Sequence, residues 1–134
     1  MAIQTPLVGI VMGSASDQPK MQAAEIILDR FGVPYESNVI SAHRQPEQAH
    51  EYSKLAEERG LEVIIAAAGR AAHLAGVMAA NTTLPVIGVP VATVGIDQAT
   101  NAAILAVQII ACHNPDLREK LRTFKQELSQ GLKV

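Results

Sequence analysis

The chain alternates short apolar runs, which have the length of β-strands, with longer stretches whose apolar residues recur at helical spacing. We predict strands at 7–12, 35–40, 61–68, 86–89 and 91–96, and helices at 17–31, 46–59, 73–81, 100–113 and 116–128. This alternation predicts a parallel sheet with right-handed crossovers, because parallel neighbours are joined across a face of the sheet. The expected fold class is an α/β, three-layer α/β/α open parallel sheet of flavodoxin or Rossmann-like type.

Length and composition narrow the class of protein further. The 134 residues predict a single α/β domain spanning 1–134, and 49% hydrophobic residues suffice for a real core. A net charge of −2, with no tryptophan, gives no reason to expect a nucleic-acid partner. No apolar run reaches the roughly 18 residues that a membrane span needs. We also expect no signal peptide, a cytoplasmic location, and a core position for the single cysteine, Cys112.

The first strand and the helix after it have clear patterns. Residues 7–12 are apolar apart from Gly9, as in a strand that is covered on both faces. Asp17 or Ser16 is expected to cap the following helix, which Gly32 ends. The apolar stripe of this helix consists of Met21, Ala24, Ile27, Leu28 and Phe31.

A later helix is apolar almost all round. In the segment 102–111 only Gln108 is polar. Such a helix is buried on more than one face, and in a chain this short we expect the second face to meet another subunit. The stripe of Leu117, Leu121, Phe124 and Leu128 in the last helix is expected to serve packing or subunit contact.

The segment 86–96 contains two strand-like runs that only Pro90 separates. Two adjacent parallel strands need a crossover of roughly a dozen residues or more, so these runs are not parallel neighbours. Either they form one long strand that is kinked at Pro90, or a connecting segment is missing from an ancestral pattern.

Two polar loops follow the first two predicted strands, and each leads into a helical stretch. They read Gly13-Ser14-Ala15-Ser16-Asp17 and Ser41-Ala42-His43-Arg44. The carboxyl ends of parallel strands share one edge of the sheet, where open α/β sheets bind ligands and helix N-termini favour anions. Each residue also has a structural explanation: the serines and Asp17 fit helix capping, and Arg44 fits a solvated charge. The same holds for His73, whereas His50 and His113 are expected at the surface.

These loops belong to a larger set of motifs that resembles the PurE family. The set comprises Val11-Met12-Gly13-Ser14-Ala15-Ser16-Asp17, Ser41-Ala42-His43-Arg44, Gly69-Arg70-Ala71-Ala72-His73-Leu74 and Leu84-Pro85-Val86-Ile87-Gly88-Val89-Pro90-Val91. The resemblance covers nearly the whole chain. Roughly two dozen residues that the family carries between its last two strands are absent, more than a crossover needs. Ala67, Arg70 and Ala75 also depart from the usual mutase pattern, and Gly69-Arg70 is similar to the carboxylase branch of animals.

The resemblance implies an N5-carboxyaminoimidazole ribonucleotide mutase of purine synthesis, which moves a carboxylate from an exocyclic nitrogen to ring carbon C4. It implies CO2 as a transient intermediate and His43 as the general acid and base, since histidine changes its charge near neutral pH. The implied substrate-binding residues are Ser14, Ser16, Asp17, Ser41, Arg44, Ala68, Gly69 and His73.

No metal and no cofactor are expected, because the four histidines do not fall at metal-ligand spacings and the family's reaction uses none. The resemblance implies a homo-oligomer, namely an octamer. Two alternatives stay open: an aminoimidazole ribonucleotide carboxylase that uses free CO2, with Arg70 as its support, and a non-catalytic nucleotide-binding relative that the missing segment has disabled.

Overall fold

The computed structural model describes residues 4–68, 73–90 and 99–134. Within them, elements of sheet and helix alternate along the chain as the sequence predicts. They are β1 (Val8–Met12), a short 3-10 turn (Ala15–Asp17), α1 (Gln18–Phe31), β2 (Tyr35–Val39), α2 (Pro46–Ala56), β3 (Val63–Ala68), α3 (Leu74–Ala80), β4 (Val86–Pro90), α4 (Ala99–Ala111) and α5 (Pro115–Ser129).

The four described strands form one parallel sheet in the order β2-β1-β3-β4. The predicted α/β class with a parallel sheet is therefore confirmed. In the register of the sheet, Met12 lies beside Val39 on one side and beside Ala67 on the other. The carboxyl ends of β1, β2 and β3 thus lie in one row. The predicted run at 91–96 lies outside the described residues.

The two faces of the sheet are covered unequally. The three-helix face is covered by α1, α4 and α5, which bury the side chains of Val8, Ile10 and Met12. The two-helix face is covered by α2 and α3, which pack on the opposite side of β1 and β3 around Val11 and Ile64. All five residues of β1 are buried, as expected for a strand that is covered on both faces.

A polar cluster closes the side of the two-helix face next to β2. The Tyr52 hydroxyl donates to Glu36 Oε2 at 3.0 Å, and Arg59 forms an ion pair with the same carboxylate. Burial and the Glu36 carboxylate raise the pKa of Tyr52, and the hydrogen bond to Glu36 raises the pKa of Arg59. The Arg59 guanidinium also lies 5.6 Å from the centre of the Tyr52 ring. This cluster links the edge strand β2 to α2.

Several predicted details of the helices are wrong. α2 ends at Ala56 rather than at Arg59, and a turn follows in which Gly60 has a φ of 92°. Cys112 is exposed rather than in the core. Cys112 directly follows α4. Leu105 lies seven residues before it, which is two helical turns and so the same side of the helix, and Leu105 is 45% exposed. The stripe of α5 is not among these errors: Leu117, Leu121 and Phe124 pack in the core as expected, and Leu128 is 37% exposed.

The apolar stripe of α1 is confirmed, since all of its predicted residues are buried. α4 packs against α1, α5, β3 and β4, so this helix is buried on more than one face within the chain itself. In the ranges 4–68, 73–90 and 99–134, no helix combines the length and the apolar character that crossing a membrane requires.

Candidate functional site

The serine turn, residues 13–17, follows β1. The Gly13 N–H donates to Ala67 O at 3.0 Å, which ties the end of β1 to β3. The Ser14 hydroxyl oxygen accepts a hydrogen bond from the Ser16 N–H at 3.3 Å and lies 2.9 Å from the Ser16 hydroxyl. Ser14 caps the 3-10 turn, and Asp17 takes the expected N-cap position of α1 but makes no side-chain capping bond there. Ser14 and Ser16 are exposed and Asp17 is half-buried.

The histidine turn, residues 41–44, follows β2. The Ser41 hydroxyl accepts the Arg44 N–H at 3.2 Å, and Ser41 O accepts the Gln45 N–H at 2.8 Å. The Gln45 side chain accepts the Ser41 N–H at 3.2 Å and so closes the turn from the other side. His43 and Arg44 are exposed. The sequence interpretation missed Gln45, although its place directly before Pro46, where α2 begins, marks an N-cap position.

The two turns lie at the same edge of the sheet. The Ile40 N–H donates to Met12 O at 2.9 Å, so the parallel ladder of β1 and β2 continues to the residue before the histidine turn. The same register places Gly13, which begins the serine turn, beside Ile40, and Ser41 begins the histidine turn one residue later. The prediction that two polar turns arrive at one end of neighbouring strands is confirmed.

A third segment adds a second imidazole. His73 precedes α3, on the carboxyl side of β3, and its Nδ1 lies 3.1 Å from Nε2 of His43. The two ring centres are 5.2 Å apart, and the planes cross at 73°. Ala68, the last residue of β3, is half-buried at the same edge. Gly69 and Arg70 lie outside the described residues.

The edge carries hydroxyls, a carboxylate, a guanidinium and two imidazoles. α1 and α2 both begin here, and a helix N-terminus with free N–H groups favours an anion. A guanidinium donates well to a phosphate, a carboxylate accepts from sugar hydroxyls, and an imidazole transfers protons at neutral pH. The predicted residues that the structure places at this edge are Ser14, Ser16, Asp17, Ser41, His43, Arg44, Ala68 and His73.

The other two histidines belong to neither turn. His50 is on the exposed side of α2, and His113 lies 3.4 Å from Glu62. Among the described residues, no group of three or more histidine, cysteine, aspartate or glutamate side chains could hold a metal ion.

Comparison with known proteins shows that nearly the whole chain belongs to one family. The model of the AIR carboxylase family matches residues 7–93 and 88–131. N5-carboxyaminoimidazole ribonucleotide mutase of Pyrococcus horikoshii is 50% identical, over 97% of this chain and 86% of the relative. The protein of the same name from Synechocystis is 49% identical, over 96% and 86%. A crystal structure of Treponema denticola PurE superposes with a TM-score of 0.81 at 25% identity, covering 93% of this chain and 92% of the other.

The same comparisons show where this chain is shorter. The alignment with the Pyrococcus protein has 153 positions, and 97% of this chain is about 130 residues, so about 23 positions have no residue here. The two matches of the family model share residues 88–93, so the chain passes there from the first matched stretch to the second. This agrees with the segment that we expect to be missing near Pro90.

Proposed function

Because the chain belongs to the AIR carboxylase family, which includes PurE, we propose that it is an N5-carboxyaminoimidazole ribonucleotide mutase of purine biosynthesis. The observation that carries this proposal is the juxtaposition of the serine turn and His43 at one edge of the sheet. Relatives with about half of their residues in common bear this name, and the alignments span nearly all of this chain.

The proposed reaction moves a carboxylate from the exocyclic nitrogen to C4 of an imidazole ribonucleotide. The carbamate C–N bond breaks and releases CO2, and the nitrogen takes up a proton. The electron-rich C4 then attacks CO2, and C4 loses its proton. One proton enters and one leaves, so a single acid and base with a protonation equilibrium near neutral pH serves both steps. We assign this role to His43, and the reaction needs no metal and no organic cofactor.

The substrate's charges suggest how the edge binds it. We assign the 5′-phosphate to the hydroxyls of Ser14 and Ser41, the guanidinium of Arg44 and the positive ends of the dipoles of α1 and α2. The hydroxyl oxygens of Ser14 and Ser16 are 2.9 Å apart, so Ser16 adds a second hydroxyl to the same turn. Asp17 makes no side-chain capping bond, which leaves its carboxylate to accept from the ribose hydroxyls.

The end of β3 is the proposed place of the imidazole ring of the substrate. Ala68 and Gly69 would bring backbone close to that ring and its carboxylate, and His73 borders the same space through its contact with His43. Backbone that lacks bulky side chains allows such a close approach.

The test is conversion of the carbamate nucleotide to the C4 carboxylate by the purified protein. We expect His43→Asn to lower kcat by roughly 10²- to 10⁴-fold, the usual contribution of a positioned acid and base. His50→Asn is the matched control, because His50 is an exposed histidine of α2 that belongs to neither turn; it should retain the activity of the parent protein. Equal activity of the His43 variant and the parent would contradict the assignment.

Two other outcomes identify the alternatives. Formation of the C4 carboxylate from aminoimidazole ribonucleotide and bicarbonate, without the carbamate, would indicate a carboxylase. The description of the family model and the sequence Gly69-Arg70 favour this second candidate. Binding of the nucleotide with decarboxylation alone would indicate a relative that the shorter chain has disabled, because a site open to water loses CO2 before recapture.

The proposal extends to assembly and location. We propose a single domain over residues 1–134 that assembles as a homo-oligomer, an octamer by resemblance, in the cytoplasm. The support is the family resemblance together with the segment 102–111 of α4, in which only Gln108 is polar and Leu105 is 45% exposed, so that a second subunit could cover Leu105. Light scattering should give a mass several times that of the 14.2 kDa chain. A monomer would contradict this part of the proposal.

A further inference from the structure

The two histidines of the site form a direct pair. His43 Nε2 and His73 Nδ1 are 3.1 Å apart, which is hydrogen-bond distance for two ring nitrogens. The rings cross at 73°, an edge-to-face arrangement rather than a stack. One nitrogen must therefore carry a hydrogen and the other must present a lone pair, since two N–H groups or two lone pairs would repel.

Both rings are attached to backbone that is held in place. The histidine turn is closed by hydrogen bonds between Ser41 and Gln45 in both directions. His73 O accepts the Val77 N–H at 3.0 Å in the first turn of α3, and the next residue, Leu74, is 2% exposed. The pair thus joins two anchored segments that are 30 residues apart in the chain.

A neutral histidine has one N–H and one bare nitrogen, and the hydrogen bond of one nitrogen decides the state of the other. We propose that His73 is a positioning residue: its Nδ1 accepts the hydrogen of His43 Nε2 and thereby leaves His43 Nδ1 as the nitrogen that exchanges protons with the substrate. This inference rests on the proposed function and deepens it. In this arrangement both rings are in the Nε2–H tautomer, which free histidine prefers.

The proton balance of the pair follows. When His43 Nδ1 removes the proton from C4, its Nε2–H hydrogen can pass to His73 Nδ1, and His73 can release its own Nε2 hydrogen to water. Both rings are then neutral. The reverse sequence supplies a proton to the exocyclic nitrogen. His73 is exposed, so water can reach its Nε2 in the single chain.

The direct test is nuclear magnetic resonance of the protein with ¹⁵N-labelled histidine, without substrate, at mildly alkaline pH. We expect a scalar coupling across the N–H···N bond between His43 Nε2 and His73 Nδ1, with the ring-nitrogen shifts placing the hydrogen on His43. Absence of the coupling, or a hydrogen on His43 Nδ1, would overturn the proposal. This measurement does not depend on catalysis.

Kinetics of two variants test the consequence. His73→Phe removes the acceptor, and we expect kcat to fall about 10- to 100-fold, as when a group that orients a neighbour is lost, with KM changed less than about threefold. His73→Asn keeps an acceptor oxygen near Nδ1 and should recover most of kcat. His50→Asn is the histidine control. An unchanged kcat in His73→Phe, or no recovery in a folded His73→Asn protein, would overturn the positioning role.

Failure of this inference differs from failure of the proposed function. Mutase turnover in the parent protein without the coupling, or with full activity of His73→Phe, would reject the pair and leave the function standing. The coupling in a protein without mutase turnover would reject the function and with it the catalytic use of the pair.

Discussion

The two faces of the sheet differ in how heavily they are built. Among the described residues, the cluster on the three-helix face contains 23 buried apolar residues and that on the two-helix face contains nine. The first face is closed by three apolar stripes. The second relies on short helices and on the polar cluster of Tyr52, Glu36 and Arg59. A smaller cluster has fewer neighbours to compensate when one contact is lost.

The candidate site is divided between these faces. The serine turn leads into α1, on the three-helix face, whereas the histidine turn leads into α2, and His73 leads into α3, on the two-helix face. The groups that we assign to the sugar-phosphate therefore depend partly on the larger core, and both imidazoles depend on the smaller one. A substitution that weakens the smaller core should therefore lower kcat more than a similar substitution in the larger core.

A matched pair of leucines tests this difference with the largest expected effect on stability. Leu28 is 0% exposed on α1, and Leu74 is 2% exposed at the start of α3. Each change to alanine should lower the free energy of unfolding by about 2–5 kcal/mol, through lost burial and the cavity that remains. Denaturant unfolding measures this loss.

The contrast between the two variants lies in catalysis under conditions where both are folded. Leu74→Ala should also lower kcat, because Leu74 adjoins His73, whereas Leu28→Ala should leave kcat near that of the parent. Equal effects of the two variants on kcat would break the comparison between the faces.

A substitution at Gly9 should destabilise the two-helix face by less than the leucine variants do. A Cβ at this position would overlap the Tyr52 hydroxyl oxygen and lie 3.3 Å from Leu61 Cδ1. We expect Gly9→Ala to cost about 1–3 kcal/mol of unfolding free energy, as overpacking of a core does. The double variant with Tyr52→Phe should recover part of this loss, because the overlapping oxygen is gone. Additive losses in a double-mutant cycle would contradict a direct clash.

The Tyr52 hydroxyl itself gives the smallest effect. Tyr52→Phe removes the hydrogen bond to Glu36 and should cost about 0.5–1.5 kcal/mol near neutral pH. The folded protein raises the pKa of Tyr52 above its ordinary 10.0, chiefly by burial and then by Glu36. This stabilisation is present below pH 10.0 and is lost as the pH rises further, because the unfolded chain releases the proton first.

Unfolding followed between neutral pH and pH above 10.0 sharpens the comparison of the faces. Stability of the parent should fall above pH 10.0, and Tyr52→Phe should flatten that fall. Tyr35, which packs against the three-helix face, also has its pKa raised, by burial and by Asp29. Tyr35→Phe should flatten the fall less. A larger effect of Tyr35→Phe than of Tyr52→Phe would show that Tyr35, on the side of the three-helix face, accounts for most of the loss of stability at alkaline pH.

The strands and the positions of the two turns could be predicted because they depend on local pattern. The apolar run before Gly13 is buried on both faces as its composition indicates. The meeting of the serine and histidine turns follows from parallel pairing alone, since parallel strands end at one edge.

The errors come from contacts that a local pattern does not contain. An almost uniformly apolar helix does not show which side faces outward, so Cys112 could not be placed; its exposure follows from how α4 packs on α1 and α5. Ser14, Ser16 and Asp17 are all good capping residues, and only the observed 3-10 turn shows that Ser14 makes the side-chain capping bond. The contact of His43 with His73 depends on β3 lying beside β1, which spacing along the chain does not reveal.

The position of β2 has one more consequence. Of the described strands, β2 pairs only with β1, through a single ladder that runs from Val8 and Tyr35 to Met12 and Val39. This ladder sets the distance between the imidazole of His43 and the hydroxyls of the serine turn. A slip of two residues along that ladder would preserve the side-chain alternation yet displace the imidazole by about 6.6 Å. One row of backbone hydrogen bonds therefore sets the distance between the groups that would bind the phosphate and the imidazole of His43.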